Sequence, residues 1–128
     1  MRFSLLAVLI CIAINLRGQS HIDNDTLYSF KVRLLAPASP TPGCGIIAWA
    51  IAQKFEVIST DYPKYKNKYV VVIECCPEFL GKNFFKTNQI YSLKVSTNSG
   101  ATFNFTYFNK YKTENVPTFW SRHTTKGD

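Results

Sequence analysis

Apolar and polar residues alternate over several short stretches of this chain. From Tyr28 to Ala36, Tyr28, Phe30, Val32 and Leu34 alternate with Ser29, Lys31 and Arg33. This period of two marks a strand with one polar face. Pro37, Pro40, Pro42 and Gly43 end the run, since proline cannot donate to a ladder and glycine permits tight turns. The next run, Gly45 to Ile58, is longer. Trp49, Ile51, Phe55 and Val57 share one parity, while the other changes from Ile46, Ala48, Ala50 and Ala52 to Lys54 and Glu56. Its first half is therefore expected to be buried on both faces and its second half on one. A helix competes over Ala48–Lys54, where the composition is helix-forming. The alternating, β-branched continuation to Thr60 favours one long, bent strand.

A charged loop, Asp61 to Lys68, precedes Tyr-Val-Val-Val-Ile-Glu at Tyr69–Glu74, the clearest strand signal in the sequence. Cys76-Pro77-Glu78-Phe79-Leu80-Gly81 predicts a short helical turn, with proline in its first turn and glycine to stop it. Ile90–Ser96 and Ala101–Phe108 read as two more strands, joined by Thr97-Asn98-Ser99-Gly100 as a hairpin turn. The tail from Asn109 is basic, then turns apolar at Val116, Phe119 and Trp120, which are expected to pack back onto the sheet. Five strands and little helix predict an all-β domain, either a small barrel or a small β-sandwich.

The order and spacing of several pieces resemble the five-stranded OB-type barrel of secreted netrin-like domains. The matching pieces are Cys44-Gly45, Val70–Glu74, Cys76-Pro77-Glu78-Phe79, and Phe84-Phe85 followed by Tyr91-Ser92-Leu93, within residues 44–108. Most of that family's cysteines and its end helix have no counterpart here, and Gly45 puts no reactive side chain beside Cys44. The resemblance thus implies a barrel more than an inhibitory activity, because fold does not confer function.

The first twenty residues read as a cleavable secretory signal. Arg2 is followed by an apolar stretch over residues 5–16, then by Gly18 and Ser20 at the spacing of a cleavage site. Twelve helical residues span about 18 Å, short of the roughly 30 Å hydrocarbon core. No stable membrane anchor is therefore expected. Cys11 lies inside the apolar stretch behind bulky Ile10, the wrong context for lipidation. Cleavage near Ser20 would leave residues 21–128 as a single secreted or periplasmic domain with a loose N-terminal segment. It would remove Arg2 and Arg17 from a formal charge of +7, leaving +5. A basic domain favours anionic partners, but charge speaks to association and solubility and not to fold.

Three cysteines then remain: Cys44, Cys75 and Cys76. In an oxidising compartment a disulfide is the default. Successive strand residues point to opposite faces, so only one of Cys75 and Cys76 can meet Cys44 from a regular strand. Cys76, at the strand's end before Pro77, is the favoured partner, Cys75 the alternative and a vicinal bridge the third. A closed loop of about thirty residues would stabilise the fold by roughly 3.6 kcal/mol.

The sequence holds no phosphate-cradling glycine loop, dinucleotide fingerprint or Cys-x-x-Cys spacing, and its two histidines, His21 and His123, stand near opposite ends. We therefore expect no enzyme, no cofactor and no metal. Glu74, between Ile73 and Cys75, is expected on the solvent face; turned inward, its pKa would rise and it would need a partner. Asn24-Asp25-Thr26 and Asn104-Phe105-Thr106 are glycosylation triplets that matter only in a host using them; neither is assigned a role.

The sharpest surface feature is Tyr62-Pro63-Lys64-Tyr65-Lys66-Asn67-Lys68-Tyr69, echoed by Lys110-Tyr111-Lys112. Tyrosines interleaved with lysines offer rings for stacking and cations for phosphate or sulfate. Tyr62, Lys64, Tyr65, Lys66, Lys68, Lys110, Tyr111 and Lys112 thus form the candidate ligand surface, provided the fold brings the two segments together. The expected ligand is an anionic polymer, such as an acidic glycan or single-stranded nucleic acid. The alternative is a structural or protein-protein interaction domain of the cell envelope or extracellular space. It would bind its partner through an exposed strand edge or through Phe119-Trp120. A protease-inhibitor-like module ranks third.

Overall fold

The computed structural model describes residues 25–36 and 43–128; the signal-like segment and the three prolines at 37, 40 and 42 lie outside them. Six strands follow in order: β1 Tyr28–Leu34, β2 Ala48–Thr60, β3 Tyr69–Cys75, β4 Ile90–Ser96, β5 Phe105–Phe108 and β6 Thr118–Lys126. A four-residue 3₁₀ turn, Pro77–Leu80, follows β3. β1 pairs antiparallel with both β2 and β4, and β2 with β3. β6 runs parallel to β3 and antiparallel to β4. The circuit β1-β2-β3-β6-β4-β1 closes on itself, so the fold is a small OB-like five-stranded barrel with one extra strand, β5. A closed circuit rules out the sandwich.

The expected alternation fills the barrel. Phe30, Val32, Leu34, Phe55, Val70, Val72, Tyr91, Leu93, Val95 and Phe119 make the interior core. The long second strand is a strand throughout, not a helix in its first half. It is shared along its length: β3 pairs with residues 50–56, β1 with 55–60, and β5 with 48–51. Its first half is accordingly buried on both faces. The outer face there carries a second cluster, Ala50, Ala52, Val71 and Ile73, covered by Phe105, Tyr111, Val116 and Trp120.

The segment after β4 does not return as a hairpin, and only Phe105–Phe108 of the expected strand forms, parallel to β2. β4 has no edge to offer, because β1 and β6 take both. Ser96, wholly buried, ends β4 by bonding the Asp25 carboxylate and accepting the Asn98 N–H at 3.2 Å. Arg122 binds that same carboxylate and the Asn98 side chain. Gly100, at φ +58° against the Arg122 guanidinium, lets the chain leave in a conformation that other residues seldom adopt. The tail packs back as expected, with Phe119 inside and Trp120 and Val116 outside, and it does so as a strand the pattern did not predict, Thr118–Lys126, which completes the barrel.

Cys44 is bonded to Cys76, with Cα atoms 5.6 Å apart. Cys76 adopts a left-handed backbone (φ 49°, ψ 56°). That break in the strand's alternation swings it away from the direction Cys75 takes. Cys75 stays on β3 opposite Ala50, a free thiol 3.8 Å from the Cys76 sulfur.

Candidate basic-aromatic face

The outer face of β2 and β3 continues past its apolar half into charge. Lys54 follows Ala50 and Ala52 at the same parity, opposite Val71, and Tyr69 lies one pair further on, opposite Glu56. The Lys54 ammonium sits 5.0 Å from the centroid of the Tyr69 ring and 5.8 Å from that of Tyr111. It is held by the Glu114 carboxylate at 2.5 Å. Lys68 lies 5.5 Å from the Tyr69 centroid and 3.8 Å from Glu56. Lys110 lies 5.2 Å from the Tyr111 centroid. The two lysine-tyrosine segments therefore meet, and the residue that joins them is Lys54. A cation over a ring face is attracted by the ring's quadrupole, so this array is an ordered one.

The eight candidate residues divide. Tyr111 packs on the outer cluster with Lys110 over it. Lys64, Lys66, Lys68 and Lys112 are exposed. Tyr62 and Tyr65 turn the other way, into the open end of the barrel. Tyr62 packs on Tyr28 (centroids 4.5 Å) and Phe119 (5.2 Å), and Tyr65 on Phe30 (5.2 Å). The Tyr65 hydroxyl donates to the Tyr69 carbonyl at 2.6 Å. Burial, with Tyr62 nearby, pushes its pKa up to about 12. These two rings close the core and do not offer a stacking platform. Lys54 and Tyr69 supply what they do not. The signal for Lys54 was present, since the outer parity of β2 changes from alanine to lysine there.

Comparison with known proteins finds no family model, curated protein or solved structure that matches this chain. What the surface can do must therefore be read from its own chemistry.

Two further features bear on that reading. β5 is the last strand of the sheet, so its outer edge is unpaired among the described residues. Phe103, Tyr107 and Phe108 are exposed there, with Ile46 and Ile47 ahead of β2. Phe105 and Tyr107 meet Trp120 edge-on, with ring centroids 5.3 and 5.5 Å away. Of the expected Phe119-Trp120 pair, Phe119 is consumed by the core and Trp120 supports β5 from beneath.

Glu74 faces inward instead of toward solvent. It shares a face with Val70 and Val72 and lies opposite Ile51, because β3 keeps its alternation to the barrel's end. Thr124 donates its hydroxyl to the carboxylate at 2.8 Å. Burial raises the Glu74 pKa, against hydrogen bonds from Ser121 and Thr124 and the charge of His123. On the same inner face Gln53, opposite Val72, is 2 % exposed. Its carboxamide nitrogen and oxygen have no hydrogen-bond partner among the described residues.

Cys44, Cys76 and Glu78 approach one another closely enough to suggest a metal cluster. Both sulfurs are joined in the disulfide, which leaves no thiolate to ligate. Cys75 is no activated nucleophile either, since burial, then Glu74 and Glu78, raise its pKa.

Proposed function

We propose that this protein is an exported, non-catalytic binding module whose β2–β3 outer face takes an anionic polymer, an acidic glycan being the best fit. The observation that carries this reading is the Lys54 ammonium placed between the Tyr69 and Tyr111 rings, with Lys68 and Lys110 beside it. Cations spaced over aromatic faces match a chain that carries repeated charge and presents flat, weakly polar ring faces. The signal-like N-terminus and the Cys44–Cys76 bridge support export, because disulfides persist in oxidising compartments.

The test is retention on heparin resin. The mature protein should bind and elute with rising salt, since polyelectrolyte contacts weaken as counterions compete. The triple variant Lys64→Ala, Lys66→Ala, Lys68→Ala should elute at lower salt. Elution at the wild-type position would refute the assignment. Intact mass of the exported protein tests the other half, with cleavage near Ser20 and one alkylatable thiol expected.

A second reading has its own observation, the unpaired edge of β5 with its exposed Phe103, Tyr107 and Phe108. An extended segment of a partner protein could add a strand there. Such a contact would hold at high salt, which separates it from the first.

A further inference from the structure

The opposite wall of the barrel carries a groove of about 500 Å³ on the outer face of β1, β4 and β6, bordered by Ser59 and Thr60 at the end of β2. The registers fix what lines it. Ser29, Lys94 and His123 face one another in one cross-strand row, and Lys31, Ser92 and Thr125 in the next. Across β1 and β4 hydroxyl and ammonium alternate, Ser29 beside Lys94 and Lys31 beside Ser92, and β6 adds His123 and Thr125. Lys94 donates to the Ser29 hydroxyl at 2.5 Å. The Lys31 ammonium has no hydrogen-bond or ion-pair partner among the described residues. The one carboxylate in the lining, Asp61, stands at the end of the groove, where it accepts the Ser29 backbone N–H at 2.7 Å.

Lys54, Lys68 and Arg33 each have a carboxylate within 4 Å; among the described residues Lys31 and Lys94 have none. The two are diagonal neighbours on one face, with Cβ atoms expected roughly 7 Å apart, and like charges at that range repel. An anion seated between them relieves that repulsion. Their ammonium groups sit on flexible stems that can converge on it. Around that point the serine and threonine hydroxyls each donate and accept, which suits a ligand that itself bears several hydroxyls. Phe30, in the lining, has its ring in the core, which leaves the His123 imidazole as the one ring the groove presents.

We infer that this groove is a second binding site, for a single acidic sugar unit whose carboxylate lies between Lys31 and Lys94 and whose hydroxyls meet Ser29, Ser92, Thr125 and Asp61. It shares no residue with the β2–β3 face and stands or falls separately from it.

The test is a titration of the isotopically labelled full chain with D-glucuronate, followed by amide chemical shifts. D-glucose and inorganic sulfate are the controls. Glucuronate should shift the amides of residues 29–31, 92–94 and 123–125, with a dissociation constant on the order of millimolar for so open a site. Glucose should shift none of them. Lys31→Ala with Lys94→Ala, both on exposed positions, should weaken binding about tenfold or more, the scale of a lost charge-assisted contact, and leave retention by the Lys54 face unchanged. Ser92→Ala with Thr125→Val should weaken glucuronate but not sulfate. No shifts at these strands, or sulfate shifting them as strongly as glucuronate, would overturn the proposal. Loss of heparin retention in the Lys64/Lys66/Lys68 variant, with groove shifts intact, would leave it standing.

Discussion

Replacing both Cys44 and Cys76 by alanine removes a bridge whose ends are 32 residues apart in sequence. The residues it closes over include all of β2 and all of β3. These strands already pair over seven positions, Ala50 with Cys75 through Glu56 with Tyr69, and Cys76 donates its N–H to the Trp49 carbonyl at 2.8 Å. The native ends would therefore stay close without the bond. The loss falls mainly on the unfolded chain, which regains the freedom of an open loop. For a separation of 32 the chain-entropy relation gives about 3.7 kcal/mol at 25 °C. Against the 5–15 kcal/mol typical of whole domains, roughly, that is a large share. At about 4–8 °C per kcal/mol, the melting temperature should fall by about 15–30 °C. Urea unfolding followed by tryptophan fluorescence measures it, since Trp49 beside Cys44 and Trp120 over β3 report on both ends of the outer cluster. Cys75→Ala is the control and should change stability by no more than about 1 kcal/mol. A loss below about 1 kcal/mol in the double variant, from a parent verified to carry the bridge, would refute the reasoning. An equal loss in the Cys75 control would refute the assigned pairing.

Gln53 offers the opposite sign. Its carboxamide is buried without a partner, so Gln53→Met, which keeps length and flexibility, should raise unfolding stability by about 1–3 kcal/mol. A loss of stability in urea titration would show that the amide is satisfied in solution. Glu74 predicts a pH dependence. Because its folded pKa is raised by burial above the ordinary 4.5, the folded state favours the protonated form. The stability this contributes is complete below pH 4.5 and is lost as pH rises through the folded pKa. Glu74→Gln should therefore gain on wild type as pH rises from about 4 to 8, with the two converging in acid. Urea midpoints across that range would contradict this by keeping a constant separation.

Much of this architecture was legible in local pattern. β4 was readable from Ile90 to Ser96 at both bounds, and β1 and β3 within a residue or two, because a half-buried strand writes its two faces directly into alternating residues. The long bent β2 was legible for the same reason, including the shift from two buried faces to one. β6 was not. Of its nine residues only Phe119 and Thr124 are buried, and a bulge opposite Lys94–Val95 resets its parity. Its place is earned by backbone hydrogen bonds to two strands that are distant in sequence. Nor could the residues after β4 reveal that both edges of β4 were already occupied.

The candidate face divides in the same way. Composition alone pointed to lysines and tyrosines at 62–69 and 110–112, because residue types are local facts. Which rings point outward is set by packing: the barrel's open end draws in Tyr62 and Tyr65, while Lys54, on a strand read mainly for its apolar side, becomes the link between Tyr69 and Tyr111. The choice of Cys76 over Cys75 needed a left-handed backbone at one residue, which sequence left open between two neighbours. The Lys31–Lys94 groove was invisible until register placed residues from three strands side by side. Residue identity determined the strand faces and the available chemistry. Only closure of the barrel decided which of those groups meet, since contacts between strands far apart in the chain depend on pairing that no local window contains.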